Sequence, residues 1–333
     1  MDHNNKHIKL SVILPTFNEK ENVILIYNSL KNVMDQLTIN YEIIFVDDNS
    51  PDGTIDVVKS LHQNDKNVKY ILMARRFGDQ VSLMAGLDHT SGDIVVTMDS
   101  DLQHPPAHIP VMLEKWKEGY DVVIAIREKE GHNSLFKKMT ELMFYKMMNI
   151  LSDTKIYNRF SGFCLLDGKV VRELRKYKEK EPFLRGLIPL VGFKTIQIYY
   201  KEMNREYGES KYSILRMFKL AISGIVSFSS KPLYIAFYSG VMAVFMSLLY
   251  GFYVVISEVF FKKSVPGWAS VILLIIFFGG LQLISMGLLG IYLSKVFMQT
   301  KDRPNYIISE IGGIIEKSDE CHSVQKTPSE SIF

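Results

Sequence analysis

The sequence predicts an α/β fold with a mostly parallel sheet, followed by a hairpin of two membrane helices. Between Leu10 and Arg127, short apolar and β-branched runs alternate with amphipathic segments, which is typical of a parallel sheet covered by helices on both faces. Later in the chain, residues 232–257 and 264–294 carry no charge, and each run exceeds the roughly 20 residues that cross a bilayer. A pair of buried core helices is the alternative, which two such runs in succession disfavour.

The individual elements follow in chain order. Predicted strands cover residues 10–14, 41–46, 68–73, 94–98 and 122–125. Apolar residues three or four positions apart from Val23 to Leu37 mark the first helix, and further helices are predicted at residues 80–89 and 109–118. Residues 134–200 mix helix and strand patterns, so the assignment there is only coarse.

Charged residues follow four of these strands. They are Asp47 and Asp48 after the second strand, Arg75 and Arg76 after the third, Asp99 and Asp101 after the fourth, and Arg127 after the fifth. In open α/β sheets, ligands bind beyond the carboxyl ends of the strands. The distribution therefore predicts a site for a ligand that is both phosphorylated and metal-bound.

The stretch from Asp99 to Pro106 is the centre of that predicted site. Extended backbone turns alternate side chains to one side, so Asp99 and Asp101 can converge, and two prolines then end the strand. Close carboxylates repel each other unless a cation lies between them, and hard divalent ions prefer oxygen ligands. Taken alone, the segment could equally be an acidic turn without a metal.

Composition adds few constraints on partners. The 333 residues carry a formal net charge of +3, which favours no particular partner, and we expect no nucleic-acid binding. Cys164 and Cys321 match no metal spacing and indicate unpaired thiols in a reducing compartment. The polar stretch from Met1 to Lys9 predicts no signal peptide.

The flanks of the uncharged runs predict how the chain meets the membrane. Residues 213–231 combine apolar positions with Arg216 and Lys219, as an interfacial helix would, although an ordinary surface helix is the alternative. Basic residues flank both outer ends of the hairpin (residues 232–297), whereas the connecting loop offers only Lys262 and Lys263. The positive-inside rule therefore predicts a multi-pass protein of the cell membrane with both termini in the cytoplasm. Residues 298–333 would form a cytoplasmic tail, disordered beyond residue 316.

Four motifs in order resemble those of the family 2 glycosyltransferases. They are Leu14–Glu19, Asp47–Thr54, Asp99–Pro106 and Arg205–Lys211. With the hairpin and the segment Arg303–Tyr306, they more narrowly resemble polyprenyl-phosphate glycosyltransferases of the dolichyl-phosphate mannose synthase and bactoprenol glucosyltransferase type. The resemblance covers nearly all of residues 8–310. It implies a Rossmann-like GT-A catalytic domain at residues 1–212, inverting hexose transfer from a nucleotide-diphosphate sugar to a membrane polyprenyl phosphate, and a homo-oligomer, specifically a tetramer.

The same resemblance implies roles for individual residues. Asp99, Asp101 and Gln103 would hold Mg²⁺ or Mn²⁺ on the diphosphate, and Arg127, Arg205 and Lys211 would gather the phosphates of donor and acceptor. The implied nucleotide-sugar site comprises Pro15, Phe17, Glu19, Val46, Asp48, Asp99, Ser100, Asp101, Arg127, Arg205 and Lys211, with the catalytic roles on Asp99, Asp101, Arg127, Arg205 and Lys211. A divalent cation would stabilise the leaving diphosphate, and guanidinium groups fit phosphate oxygens. Each cation could instead be a solvated surface charge.

One segment departs from the family pattern, and two other functions compete with this one. Many bacterial relatives carry an acidic residue where Gly162 stands and a cation where Cys164 stands, so no protein general base is assigned. A processive polysaccharide synthase would share the acidic motifs, but neither Trp116 nor Trp268 lies in the Gln-x-x-Arg-Trp context of those enzymes. A non-catalytic membrane scaffold is disfavoured because the metal and phosphate residues are intact.

The donor sugar is open at this stage. The two-span layout favours UDP-glucose, because it resembles the bactoprenol glucosyltransferases. GDP-mannose is the alternative, because residues 40–54 resemble the mannose synthases.

Overall fold

The computed structural model describes residues 8–128, 160–180, 182–201, 230–261 and 267–314. Eight strands lie in the described ranges: β1 Lys9–Thr16, β2 Asn40–Asp47, β3 Val68–Met73, β4 Ile94–Thr97, β5 Val122–Arg127, β6 Phe160–Asp167, β7 Thr195–Tyr200 and β8 Ile308–Gly312. They form one mixed sheet in the order β7-β5-β6-β4-β1-β2-β3-β8. The five strands predicted from the sequence are confirmed as β1 to β5.

The middle of the sheet is parallel. Strand β1 pairs with β2 and β4, and β2 pairs with β3, so their carboxyl ends meet at one edge. Strand β6 runs antiparallel to both β4 and β5, which makes β5 parallel to β4, and β7 is parallel to β5. The carboxyl-end edge therefore also carries Arg127 and the first residues of β6.

Helices cover both faces of the sheet. They are α1 Lys20–Leu37, α2 Thr54–Asn64, α3 Asp79–His89, α4 Ile109–Lys117, α5 Gly168–Leu174 and α6 Leu184–Leu190. Helix α1 buries Val23, Ile26 and Leu30 in the core on one face, as its apolar spacing predicts. Helix α3 packs on the other face, so closely that a Cβ at Gly86 would lie 2.4 Å from the Ile13 side chain. Helix α2 is an element that the sequence analysis did not assign.

Two long apolar helices follow the sheet domain. Helix α7 spans Lys231–Phe261 and helix α8 spans Trp268–Thr300. Both are long and apolar enough to cross a membrane, over Lys231–Tyr253 and Leu274–Thr300. Large apolar side chains along them are exposed, for example Phe252 at 68% and Leu283 at 70%. Such a continuous apolar surface requires a covering that water does not provide.

The chain then returns to the sheet domain through residues 301–314, which we call the C-terminal strap. Strand β8 within it pairs antiparallel with β3 at the sheet edge. The Tyr306 hydroxyl donates to Asp88 at 2.7 Å, and the Tyr70 hydroxyl donates to Glu310 at 2.7 Å. Residues 298–333 are expected to form a tail after the hairpin, and within them residues 308–312 form an edge strand of the sheet.

The end of helix α8 is also attached to the sheet domain. The Gln299 side-chain amide donates to the carbonyl of Lys178 at 2.8 Å and accepts from the Lys180 N–H at 3.3 Å. Lys180 Nζ donates to the carbonyl of Arg303, and the Asn305 amide donates to the carbonyl of Glu179. The segment from Lys178 to Lys180 therefore joins the sheet domain to the second apolar helix.

Candidate active site

The two central carboxylates follow strand β4 in a turn. The strand ends at Thr97, so Asp99 and Asp101 converge through a turn and not through strand alternation, which corrects the predicted reason for their proximity. Asp101 is buried and accepts from the Gln103 N–H at 3.1 Å. The Ser100 hydroxyl donates to the carbonyl of Pro15 at 3.0 Å, which ties this turn to the end of β1.

Left-handed backbone occurs at three non-glycine residues beyond the carboxyl ends of the strands. Leu102 has φ +66° in the Asp99–Pro106 turn, and Asn18 and Asn49 have φ +57° and +59° after β1 and β2. Asparagine tolerates this conformation, but leucine does so at a cost of about 1–2 kcal/mol. Such strain persists where the surrounding structure enforces it, and it concentrates at binding and catalytic sites.

The buried side chain of His104 is hydrogen-bonded to the backbone of Asp99. The Asp99 N–H donates to His104 Nδ1 at 2.9 Å, so the neutral ring carries its proton on Nε2, which donates to the Ser161 hydroxyl at 2.7 Å. That hydroxyl also lies 3.0 Å from the Tyr200 hydroxyl. Burial, followed by the charges of Arg127 and Arg185, lowers the pKa of His104 to about 3. His104 is therefore a neutral, fixed support for the acidic turn.

The protonation of Asp99 reflects its crowded surroundings. Desolvation, followed by the charge of Asp101, raises the pKa of Asp99 to about 7, while Arg185 and then Arg127 act to lower it. The Asp99 side chain is 46% exposed, so water limits the shift that the surrounding protein alone would produce. Burial is the larger cause of this shift, and repulsion from the Asp101 carboxylate adds to it.

The end of β2 supports the neighbouring loops with two buried carboxylates. Asp48 accepts from the N–H groups of Phe77 at 2.6 Å and Gly78 at 2.7 Å, so it holds the loop that starts α3. Asp47 accepts from the Ser50 N–H at 3.0 Å and the Ser50 hydroxyl at 2.6 Å. Burial raises the pKa of both carboxyls despite these donors. Asp48 therefore acts on this edge of the sheet through the loop that it holds.

An aromatic and cationic surface lies beside this loop. The Arg76 guanidinium stacks 3.9 Å from the centre of the Phe17 ring, just beyond the end of β1. Glu19 precedes α1 and accepts from the Asn22 amide at 2.6 Å, and its N–H donates to the Thr54 hydroxyl at 3.1 Å. The structure thus brings Pro15, Phe17 and Glu19 to the same edge as Asp99. Val46, by contrast, is fully buried in the core, so its side chain supports the site and does not line it.

Two arginines approach the acidic turn from the side of β5 and β6. Arg127 Nε donates to the Tyr200 hydroxyl at 3.3 Å, and its NH2 group lies 3.5 Å from Gln103 Oε1. Arg185 donates to the carbonyl of Ser161 at 2.5 Å. Arg127 is predicted from the sequence as a site residue, and Arg185 is not; the signal of Arg185 is a single charge within the apolar helix α6, Leu184–Leu190. Arg205 and Lys211 lie outside the described residues.

Comparison with known proteins decides the family. The model of glycosyl transferase family 2 matches residues 11–175, which span the sheet from β1 through β6. A glycosyltransferase of Bacillus subtilis, YkcC, is 40% identical over 94% of this chain and 97% of its own length. The chain belongs to glycosyl transferase family 2. Its mostly parallel mixed sheet is the GT-A fold that the motifs imply.

Two further proteins are similar to this family 2 glycosyltransferase, one over nearly the whole chain and one over two thirds of it. The Bactoprenol glucosyl transferase of Shigella phage SfX is 36% identical over 90% of this chain and 99% of its own length. The solved structure of the mannosyltransferase PcManGT from Pyrobaculum calidifontis covers 67% of this chain and 64% of its own, at 17% identity and a TM-score of 0.47. The first similarity extends through the hairpin, whereas the second is too distant to carry a functional argument.

The segment that departs from the family pattern lies in the core and at the site edge. Gly162 has φ +110°, and a Cβ there would meet no atom within 4 Å, so a side chain would project into open space. Its carbonyl accepts from the Thr97 hydroxyl at 2.6 Å. Cys164 is fully buried, and burial raises the pKa of its thiol to about 12, so it is a core residue and not a nucleophile.

The donor set suits a hard divalent cation. Asp99, Asp101 and Gln103 offer only oxygen ligands, which Mg²⁺ and Mn²⁺ prefer. In the described part of the chain, no group of three or more His, Cys, Asp or Glu side chains is placed so that it could hold a metal ion, so the two carboxylates would need the Gln103 oxygen and the donor diphosphate as further ligands. A cation between Asp99 and Asp101 would relieve the repulsion that contributes to the raised pKa of Asp99.

Proposed function

We propose that this family 2 glycosyltransferase transfers a hexose from a nucleotide-diphosphate sugar to a membrane polyprenyl phosphate. The observation that carries the proposal is the set of relatives named Bactoprenol glucosyl transferase, which match about nine-tenths of this chain and nearly all of their own length. That match includes the two apolar helices as well as the sheet domain. A bactoprenol acceptor is a polyprenyl phosphate, whose chain stays in the bilayer.

The chemistry follows from the groups at the carboxyl edge of the sheet. An oxygen of the acceptor phosphate attacks the anomeric carbon while the bond from that carbon to the diphosphate breaks, and the electron pair leaves with the nucleoside diphosphate. Attack from the opposite side inverts the anomeric carbon. Because the acceptor phosphate is already anionic near neutral pH, the reaction needs no protein base. Catalysis then rests on positioning and on stabilisation of the leaving charge.

Asp99, Asp101 and Gln103 would hold the Mg²⁺ or Mn²⁺ ion. When bound, the ion supplies Lewis-acid stabilisation of the departing diphosphate. His104 keeps the backbone of Asp99 in place, and the hydrogen bond from Gln103 N–H keeps Asp101 in place. These contacts hold both carboxylates before the donor arrives, which reduces the reorganisation needed on binding.

The nucleoside would bind beside Phe17. The Phe17 ring and the Arg76 guanidinium form a stacked pair at the end of β1, next to Glu19 and to the loop that Asp48 holds. An aromatic and guanidinium surface suits a flat base, and a carboxylate suits ribose hydroxyls. Arg127, together with Arg205 and Lys211 from the segment before the hairpin, would take the phosphates.

The apolar helices would place this site at the membrane. Their exposed apolar side chains require a lipid covering, and the basic flanks predict that the sheet domain and both termini face the cytoplasm. Residues 213–229 lie outside the described residues; we expect the segment 213–231 to lie at the bilayer surface before the first span. A polyprenyl phosphate held in the same bilayer could then present its head group to the site.

UDP-glucose is the first choice of donor, and GDP-mannose is the alternative. Membranes containing the protein are incubated with labelled UDP-glucose or GDP-mannose and polyprenyl phosphate, with and without Mg²⁺. We expect labelled polyprenyl-phosphate glucose that forms only with the divalent ion. Label from GDP-mannose instead would replace the donor, and polymer formation would favour a processive synthase. Absence of lipid-linked product with every nucleotide sugar would refute the proposal.

A further inference from the structure

Arg185 is the one charged residue of the apolar helix α6. Its neighbours Leu184, Gly186 and Leu187 are buried, and Arg185 itself is half-buried. The helix is fixed at its first residue, because the Leu184 N–H donates to the side-chain carbonyl of Gln80 at 3.2 Å. Burying a guanidinium costs free energy unless its N–H groups have hydrogen-bond acceptors, so each donor of Arg185 should have an acceptor.

One of those hydrogen bonds points to the acidic turn. An NH2 group of Arg185 donates to the carbonyl of Ser161 at 2.5 Å, and the Ser161 hydroxyl accepts a hydrogen bond from His104 Nε2 at 2.7 Å. His104 in turn accepts from the Asp99 N–H. Arg185 is thus joined to Asp99 through two intervening residues, and its guanidinium lies on the β6 side of the turn.

Among the described residues, the carbonyl of Ser161 is the acceptor found for the Arg185 guanidinium. Its Nε is buried and has no hydrogen-bond partner among the described residues. A buried cationic donor without an acceptor, two residues away from Asp99 along this hydrogen-bond chain, is suited to an anionic ligand that would supply the missing acceptor.

We propose that Arg185 is a phosphate-binding residue of the active site and donates its free N–H groups to a phosphoryl oxygen. This rests on the proposed function, which brings two phosphate sources to the site, the diphosphate of the donor and the monophosphate of the lipid acceptor. A phosphate between a guanidinium and a divalent cation held by the two carboxylates satisfies both charges at once. Lys178 and Lys180, which precede α6 in the chain, are hydrogen-bonded to Gln299 at the end of α8. Helix α6 therefore follows directly on a segment that contacts the apolar hairpin.

Arg175 supplies a matched control. Its guanidinium donates to the carbonyls of Leu87 and Thr90, at distances between 2.6 and 2.8 Å, so it closes the end of α3 and faces no part of the site. Arg175→Gln should lower the thermal midpoint without changing ligand binding. Arg185→Gln should weaken ligand binding and lower the thermal midpoint less than Arg175→Gln does, because it removes one hydrogen bond, to the Ser161 carbonyl, and a donor with no acceptor among the described residues.

The experiment uses the full-length protein in detergent. UDP and GDP binding is measured with Mn²⁺ present, and the Michaelis constant for polyprenyl phosphate is measured at saturating donor, for wild type, Arg185→Gln, Arg185→Lys and Arg175→Gln. We expect Arg185→Gln to weaken one of these by about 10- to 100-fold while lowering the thermal midpoint less than Arg175→Gln does, and Arg185→Lys to recover part of the binding. A change in nucleotide affinity assigns Arg185 to the donor, and a change in the lipid constant assigns it to the acceptor.

Two outcomes would overturn the assignment in distinguishable ways. An active wild type whose nucleotide affinity and lipid constant are unchanged in Arg185→Gln would refute the role of Arg185 alone. A wild type that bound neither nucleotide and transferred no sugar would refute the proposed function, and this role with it.

Discussion

Replacing Glu42 by glutamine should destabilise the sheet domain without altering catalysis. Glu42 lies near the amino end of β2 with its side chain 1% exposed, at the opposite edge of the sheet from Asp99. It accepts from Lys9 Nζ at 2.7 Å, Lys69 Nζ at 2.5 Å and the Ser11 hydroxyl at 2.5 Å. The Ser91 N–H donates to it as well, at 2.8 Å. One carboxylate thus connects β1, β2, β3 and the turn before β4.

The lowered pKa of Glu42 indicates how much folding stability the substitution should remove. Burial by itself would raise this pKa, but donation from Lys69, Lys9, Ser11 and Ser91 outweighs it and lowers the pKa from 4.5 to about 2. That difference corresponds to about 3 kcal/mol of stability at neutral pH. Removing one partner of a buried ion pair typically costs a similar amount, about 3–5 kcal/mol. For a domain of this size, the thermal midpoint should fall by about 6–12 °C.

The pH dependence provides a second test. Because the folded pKa is below the unfolded one, the stabilisation is complete above pH 4.5 and is lost as the pH falls towards 2. The difference in thermal midpoint between wild type and Glu42→Gln should therefore be constant near neutral pH and shrink in that acid window. Comparing the two proteins at each pH removes the contribution of other carboxyls.

Tryptophan fluorescence of the full-length protein in detergent can follow this unfolding, since Trp116 donates to Asp167 within the sheet domain. Glu118→Gln is the control, because this carboxylate is 50% exposed and pairs with Lys115 on a helix surface. It should change the stability by no more than about 0.5 kcal/mol. A Glu42→Gln midpoint equal to that of the control, or a midpoint difference that persists unchanged at pH 2, would contradict the reasoning.

Four other predictions concern the site and its placement. Asp101→Asn should keep the thermal midpoint and lower turnover by orders of magnitude, and full activity of the wild type in excess EDTA would exclude a metal there. A membrane-impermeant thiol reagent on intact cells should label Ser264→Cys and miss Asn5→Cys, and the reverse pattern would invert the topology. Lys211→Ala should raise the Michaelis constant for the lipid more than that for the donor, whereas Arg205→Ala should affect both; an unchanged lipid constant in Lys211→Ala would make Lys211 a surface charge. Tyr306→Phe removes the hydrogen bond to Asp88 and should lower the thermal midpoint by the equivalent of about 1 kcal/mol. Tyr199→Phe, on the exposed face of β7, is the control. Equal midpoints for these two variants would mean that the attachment of the C-terminal strap does not depend on this hydrogen bond.

Local pattern was sufficient for much of the fold. Strands β1 to β5 and the helices α1, α3 and α4 could be predicted, because apolar periodicity is written in consecutive residues and depends only on which face is buried. The edge that holds Asp48, Asp99 and Arg127 followed from the same information, since parallel strands place their carboxyl ends together. The two apolar helices followed from length and the absence of charge alone.

Other features depended on contacts between residues far apart in the chain. The antiparallel strand β6 and the edge strand β8 acquire their places by pairing with β4, β5 and β3, and nothing in their own sequences names those partners. Asp99 and Asp101 lie in a turn that is held by His104. His104 is itself fixed by a hydrogen bond to Ser161, 57 residues further along the chain. Arg185 comes near this turn for the same reason, and the Val46 side chain lies in the core beside Gly86 of α3. The sequence by itself determined which elements form and which charges gather at their ends; only the tertiary structure decided which side chains contact one another there, because hydrogen bonding and burial at the site are set by long-range packing.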